Sequence, residues 1–455
     1  MCSNPHIVAI PFPAQGHVIP LLELSQCLVK HGCKVTFVNT DYNHKRVVNA
    51  LEENNCIGDQ IHLVSVPDGM EPWEDRNELG KLSESMLRTM PGKLQELIEK
   101  INNQGNEIAC VIGDGSIGWL MELAKKMNIR RAAFWPAATA LLALSFSIPK
   151  LIDDGIINND GTVIKKGMVR LAPNMPATNS ANFVWACLGD FSVQKVIFDL
   201  MVKNNETLKM AEIMVCNSTY ELEPAAFSFV PEILPVGPLL ASNRLGNSAG
   251  CFWREDRTCL KWLDQQPSNS VIYVAFGSFT VFEQIQFQEL ALGLELSNRP
   301  FLWVVRPDFT SRDTNDAYPE GFQDRVGSRG WMVGWAPQQK VLSHPSIACF
   351  LSHCGWNSTM EGVSSGIPFL CWPYFADQFL NESYICDIWK VGLKFSRDKS
   401  GIITRKEIKT KLDRLLGDEN LKTRSLALKE MTMNSVREGG HSNKTLNSFL
   451  EWINT

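Results

Sequence analysis

Two residues far apart in the chain are of the right type to move a proton. His17 sits in a Gln-Gly-His loop after a short apolar run at 6–11, and Asp114 follows a second apolar run that begins at Ile108. If both runs are strands of one parallel sheet, both side chains stand at its carboxyl edge, where open α/β sheets bind ligands. A carboxylate beside an imidazole fixes one tautomer and stabilises the cation, which is what a general base needs. A capping or structural histidine is the competing reading, and these two residues alone do not decide between them.

A second constellation is contiguous. Residues 335–378 read WAPQQKVLSHPSIACFLSHCGWNSTMEGVSSGIPFLCWPYFADQ, and no Lys or Arg occurs from Val341 to Trp389. An anion bound here would lack a cationic clamp from this stretch and would rely on a helix N-terminus, whose amides and dipole favour negative charge. The pattern offers one: a strand ending near Ser352, a turn at Gly355, and a helix opening at Asn357 and stopping near Gly366. His353, Asn357 and Ser358 add donors at that end. Ser358-x-x-Glu361 is also a capping box, which needs no ligand. Asp377 and Gln378 form a carboxylate–amide pair suited to sugar hydroxyls, although Asp377 also reads as a helix N-cap.

Gly113-Asp-Gly115-Ser-Ile-Gly118 matches the GxGxxG fingerprint of dinucleotide sites and follows a strand. The chain's first strand carries a different loop, and no acidic residue appears between Gly118 and Asp153 except Glu122 within the following helix. A nicotinamide-dependent oxidoreductase using the 113–118 loop is therefore the less favoured alternative.

These residues need a scaffold, and the hydrophobic periodicity supplies one. A strand at 6–11, a Pro/Gly loop, a helix at 18–30 with Leu21, Leu24 and Leu28 inward, and a β-branched strand at 34–39 make a βαβ unit. Pro20 is expected in the first turn of that helix. The pattern recurs at 108–113, 119–127 and 132–135, with further strands at 213–217 and 233–236. The small, polar, Gly-containing stretch 240–250 suggests a linker at 241–252 after a first domain at 1–240. A second series follows: strands at 271–276, 301–305, 349–352 and 369–372, and a helix at 284–297 with Ile285, Leu290 and Leu294 inward. Thr404-Arg-Lys-Glu407 caps a helix ending at Gly417, and a final amphipathic helix carries Leu446, Phe449, Leu450 and Ile453. The expected architecture is α/β: two facing Rossmann-like domains with a cleft between them, an N-terminal domain at 1–240 and a C-terminal one at 253–441. The helix at 442–455 should pack back on the first domain.

Composition narrows the class. The chain of 455 residues is 44% apolar and 20% charged, as soluble globular chains are. A net charge of -5 without a basic run argues against nucleic acid. The 13 cysteines include no CxxC pair, so free thiols in a reducing, cytoplasmic setting are expected, and a structural zinc site is not. The N-terminus lacks the pattern of a signal peptide. The longest uncharged run, between Arg131 and Lys150, reads as a buried strand and helix rather than a membrane span.

The 335–378 segment closely resembles, without gaps, the signature box of plant secondary-product UDP-glycosyltransferases, and the likeness extends from Gly16-His-Val-Ile-Pro20 across nearly the whole chain. The resemblance implies the GT-B fold and a set of roles. Trp335 would stack on uracil, with backbone groups of Ala336 and Gln338 reading its edge, and Glu361 would hold the ribose. His353, Asn357, Ser358 and the Ser278 loop would hold the diphosphate, while Trp356, Asp377 and Gln378 would contact the sugar. A closing Gln points to glucose. His17 would be the base and Asp114 its partner. Pro136, where many relatives carry a hydroxyl residue, removes one donor contact. The implied reaction is an inverting, metal-independent transfer of glucose from UDP-glucose, as co-substrate with no further cofactor, to a hydroxyl of a small lipophilic acceptor, by a monomer. Flavonoids and other phenolics lead, with terpenoids second. Phe12 and Trp135 are candidates to line the acceptor pocket, or equally core residues. A non-catalytic UDP-sugar binder is the other alternative, against which the His17–Asp114 pair argues.

Overall fold

The computed structural model describes residues 4–52, 60–240, 253–307, 309 and 317–455, with backbone only for 49–52. The expected linker at 241–252 lies outside the described residues. Two compact units emerge. The first runs to Trp253 and also takes Phe375–Asp377 and Asn434–Thr455, while the second comprises Arg254–Tyr374 and Gln378–Met433.

The first unit is built on strands β1 (His6–Ile10), β2 (Lys34–Thr40), β3 (Ile61–Val66), β4 (Ile108–Asp114) and β5 (Arg130–Trp135). Then come a small antiparallel pair, β6 (Met168–Val169) and β7 (Thr178–Asn179), and the last strands β8 (Ile213–Cys216) and β9 (Ile233–Pro235). Its main sheet is 7-stranded in the order β3-β2-β1-β4-β5-β8-β9, and every pairing is parallel. Parallel neighbours need long crossovers, and helices supply them. Strand β1 is buried along its whole length, as strands covered on both faces are.

The helix Gln15–Lys30 drives Val18, Leu21, Leu24 and Leu28 into a core shared with Ile7, Ala9, Val35 and Phe37. It begins earlier than its apolar pattern suggests, so Pro20 lies inside the helix, not in its first turn. The last helix, His441–Asn454, adds Leu446, Phe449, Leu450 and Ile453 to the same core. Each such side chain contributes on the order of 1.5–3 kcal/mol when buried. The guanidinium of Arg130 stacks 4.2 Å above the Trp452 ring and donates to the Trp452 carbonyl. The first unit takes the chain back at Asn434, ahead of the expected 442, because Ser435 is already tied to Ser442 through its hydroxyl at 3.1 Å.

The uncharged stretch after Arg131 folds as the end of β5, a loop and the buried helix Thr139–Phe146, so strand and helix are both present. Among the described residues, no helix is long and apolar enough to cross a membrane.

The second unit contains β10 (Val271–Ala275), β11 (Phe301–Val304), β12 (Gly330–Val333), β13 (Ile347–Ser352), β14 (Phe369–Cys371) and β15 (Gly392–Lys394). They form a 6-stranded sheet in the order β12-β11-β10-β13-β14-β15, again wholly parallel. The helix Gln284–Ser297 buries Leu290 and Leu294, but Ile285 is 64% exposed. One residue after the N-terminus of its helix, Ile285 falls off the stripe that Phe287, Leu290 and Leu294 define. Thr404 caps Arg405–Leu416 by accepting from the Glu407 amide at 3.3 Å. The reciprocal half of the box is not made, since Glu407 accepts from the Ser396 amide instead.

Candidate active site

Each sheet reverses its strand order once among its central strands, between β1 and β4 in the first and between β10 and β13 in the second. The loops leaving the carboxyl ends at such a reversal splay apart and leave room for a ligand. In the first unit, His17 belongs to the helix after β1 and Asp114 is the last residue of β4. The fold thus joins residues 97 positions apart: His17 Nδ1 lies 2.8 Å from Asp114 Oδ2. Asp114 is fully buried, whereas the His17 side chain is 29% exposed. With the Nδ1 proton directed at the carboxylate, the lone pair lies on Nε2. Burial works against protonating His17, but the charge of Asp114, its hydrogen bond and the charge of Asp377 outweigh it, and the imidazole is held above its ordinary value. The Phe12 ring packs 5.2 Å from the His17 ring.

The Gly-rich turn after β4 is filled from within the protein. A Cβ on Gly113 would lie 2.5 Å from Leu120, one on Gly115 2.7 Å from the Trp135 ring, and one on Gly118 2.1 Å from the Thr207 hydroxyl. These glycines serve the close packing of β4, β5 and two helices. The free oxygen of Asp114, Oδ1, accepts from the Ser116 amide inside this turn at 2.8 Å. Trp135 is half-buried and anchored through its indole N–H to the Ala138 carbonyl at 2.9 Å.

In the second unit, the loops after β10 and β13 interlock. Gly277, at φ +67°, and Gly355 flank His353, and a Cβ on either would fall 2.5 Å from its Nε2. Ser278 follows in the same loop and is half-buried. Burial pushes the His353 imidazole down to about 4, and the positive charge of Arg306 works in the same direction. His353 is therefore neutral near pH 7 and acts there as a dipole, not as a cation. The helix Trp356–Ser365 opens one residue before Asn357, with Gly355 as a cap that has no side chain to offer. The expected Ser358–Glu361 capping box does not form. Instead Gln338 Nε2 donates to Ser358 Oγ at 2.7 Å and to Glu361 Oε2 at 2.6 Å, and its Oε1 accepts from the Tyr273 hydroxyl at 3.0 Å. Gln338, Ser358 and Glu361 are thus brought together through the Gln338 side chain, where only a backbone role is expected of it.

The remaining expected residues divide. Trp335 is half-buried and Ala336 buried; the Trp335 carbonyl accepts from the Asp256 amide at 2.8 Å. Asn357 is half-buried in the first helical turn. Trp356 is only 3% exposed, and its ring packs against those of Tyr384 and Trp389. Gln378 is buried, and its Oε1 accepts from the Tyr374 amide at 2.7 Å. Asp377 groups with the first unit and its neighbour Gln378 with the second. The neighbouring Ala376 amide meets Cys187 Sγ at 3.3 Å, which draws this tripeptide to the first unit. Sequence reasoning missed Arg306. It is 1% exposed at the end of β11, donates to the Gly277 carbonyl and to that of Thr280 at 2.9 Å, and so holds the Ser278 loop from below. An arginine closing the apolar run Phe-Leu-Trp-Val-Val was the available signal.

Known proteins share this layout. Residues 197–435 match the family model described as UDP-glucoronosyl and UDP-glucosyl transferase. UDP-glycosyltransferase 83A1 of Arabidopsis thaliana is 49% identical over 99% of this chain and 97% of its own. A UDP-glucosyltransferase from Polygonum tinctorium capable of glucosylating indoxyl, solved in complex with 3,4-dichloroaniline, superposes with a TM-score of 0.85 at 27% identity, covering 100% of both chains. Phytolacca americana UGT2, solved with UDP-2fluoro-glucose and pterostilbene, does so with a TM-score of 0.82 at 27% identity over 99% of each. The two parallel-sheet units are those of the GT-B fold, and the chain belongs to the UDP-glycosyltransferase family of plant type, enzymes that transfer sugar from a UDP-sugar to small molecules.

Proposed function

We propose that this enzyme transfers glucose from UDP-glucose to a hydroxyl of a small lipophilic acceptor, a flavonoid or other phenolic before a terpenoid, with inversion to a β-glucoside. The observation that carries the reading is the His17–Asp114 pair, 2.8 Å apart at the strand-order reversal of the first sheet. His17 Nε2 takes the proton of the acceptor hydroxyl as that oxygen bonds to the anomeric carbon. UDP departs from the opposite face, so the α-linked donor yields a β-product. Asp114 stabilises the imidazolium that forms.

Charge developing on UDP is met by the amide end of the helix Trp356–Ser365, by the neutral His353 dipole and by the Ser278 loop. Glu361, positioned by Gln338, holds the ribose, and Trp335 stacks on uracil. No step calls on a metal. Glucose as donor is supported by the closing Gln378 and by the glucose-type donor in the Phytolacca structure. A phenolic acceptor is supported by pterostilbene in that structure, by Phe12 beside His17 and by Trp135 against Gly115. The described cysteines are free thiols, in keeping with a cytoplasmic enzyme.

The test is UDP release from UDP-glucose against flavonols, simple phenols and terpenoid alcohols, with and without EDTA. Release that requires an acceptor and survives EDTA supports the reading. Tight UDP binding without release for any acceptor would favour a non-catalytic binder.

A further inference from the structure

The Gly-rich turn that carries Asp114 is gripped by a residue nearly ninety positions away. The helix Phe191–Leu208, capped by the Asp190 carboxylate on the Ser192 and Val193 amides, lays its last turns against residues 115–118. Asn204 Oδ1 accepts from the Gly118 amide at 3.0 Å, and its Nδ2 donates to the Ser116 carbonyl at 2.9 Å. A donor facing a carbonyl and an acceptor facing an N–H fix the orientation of the amide without ambiguity. One turn on, Thr207 fills the space that Gly118 leaves open.

The hydrogen bonds then run on in series. Ser116 donates its amide to Asp114 Oδ1 at 2.8 Å, and Asp114 Oδ2 faces His17 Nδ1. A carboxylate with both oxygens committed cannot rotate away from the imidazole unless the turn moves. We propose that Asn204 is a positioning residue for the base: by holding both edges of the 116–118 turn, it fixes the carboxylate on which His17 depends. This rests on His17 acting as the base.

The next residue supplies a control. Asn205 makes an equivalent pair of bonds, accepting from Ser145 Oγ and donating to the Ser145 carbonyl, both at 2.7 Å. It anchors the helix Thr139–Phe146 and has no bond to the Asp114 turn. Because the charges bearing on His17 are those of Asp114 and Asp377, the acid limb of kcat/KM reports how well the carboxylate is placed.

In the full-length enzyme, Asn204→Ala is expected to lower kcat roughly tenfold to a hundredfold, as small misplacements of catalytic groups do. KM for UDP-glucose should stay within about twofold, since this change leaves ground-state donor binding intact. The acid limb should move to lower pH by roughly half a unit or more as the carboxylate loosens. Asn205→Ala should keep the limb at its wild-type position, whatever its effect on rate. Equal falls in kcat for both variants with neither limb moved would reduce Asn204 to a structural role, and an unchanged Asn204→Ala enzyme would overturn the idea outright. Should Asn204→Ala not fold, Asn204→Ser leaves a short hydroxyl that no longer spans the Gly118 amide and the Ser116 carbonyl. A wild-type limb in that variant overturns the proposal as well. His17→Ala, assayed in parallel, separates the two ideas: undiminished turnover there sinks the base itself, not its support.

Discussion

His17 and His353 each lie beyond a strand that borders the strand-order reversal of its sheet, His17 after β1 and His353 after β13, the counterpart of β4. Their surroundings send them in opposite directions. Beside His17 lie a buried carboxylate at 2.8 Å and the charge of Asp377, which together raise it despite burial. Beside His353 lie two glycines and the charge of Arg306, and burial takes it to about 4. One imidazole can take up a proton near neutral pH; the other stays neutral and offers only a dipole. The same side chain is thus pushed up in one unit, beside the carboxylates of Asp114 and Asp377, and down in the other, as the base and anion-binding roles proposed above require.

The largest effect should come from removing the proton acceptor. His17→Ala is expected to lower kcat between about a hundredfold and ten-thousandfold, the range for losing a general base, with donor affinity unchanged by calorimetry. Full turnover in this variant would erase the contrast between the histidines. Asp114→Asn should follow, with kcat down roughly a hundredfold or more because the tautomer and the cation both lose support. Its pH profile carries a sign. A base works only when neutral, so activity falls as pH drops through the His17 value. Asp114 raises that value, so the asparagine variant should lose activity at a lower pH than the wild type. A limb that stays fixed would mean that another group titrates.

The two regions also differ in how openly the sequence displays them. The box at 335–378 is contiguous, so its strand, turn and helix N-terminus can be read from spacing alone. The His17–Asp114 pair can be read only by assuming a parallel sheet that aligns two strand ends. What stays hidden is whatever depends on side-chain partners. The capping box at Ser358 is a sound local reading, yet Gln338 captures both of its members. The packing of Trp356 against Tyr384 and Trp389 is likewise invisible in the spacing. Arg306 lies outside the stretch 341–389, and its relation to the Ser278 loop appears only when β11 is set beside β10. The helix Phe191–Leu208 is absent from the periodic reading because it buries little beyond Phe198, Thr207 and Leu208. Its asparagines bond to a helix and a turn 60 to 88 residues away.

A smaller effect is expected from Gln338→Leu in the second unit. Loss of its bonds to Tyr273, Ser358 and Glu361 frees the carboxylate proposed above to hold the ribose. Hydrogen bonds to charged groups are worth about 1.5–3 kcal/mol, so KM for UDP-glucose should rise roughly tenfold or more. Initial-rate kinetics should show kcat nearly unchanged, since this contact serves ground state and transition state alike. A fall in kcat with KM constant would instead place the Gln338 network in the transition state.

The smallest effect should fall on His353, and it tests the comparison from the other side. An imidazole that is neutral throughout the working range resembles an amide: polar, uncharged and able to donate one hydrogen bond. His353→Gln should therefore keep kcat within about threefold, the scale of one modest neutral hydrogen bond. The tight fit between Gly277 and Gly355 implies a stability loss of around 1 kcal/mol, the usual size for a shape change in a packed site. The decisive reading is again pH. With its value at about 4, His353 makes no contribution to the profile above pH 5, so the variant should retain the wild-type acid limb. In the wild type, imidazole resonances followed by NMR should show His17 titrating above its ordinary value and His353 unmoved down to pH 5. A limb that shifts in His353→Gln would show that this histidine also changes charge during turnover, and the division of labour between the two would fail.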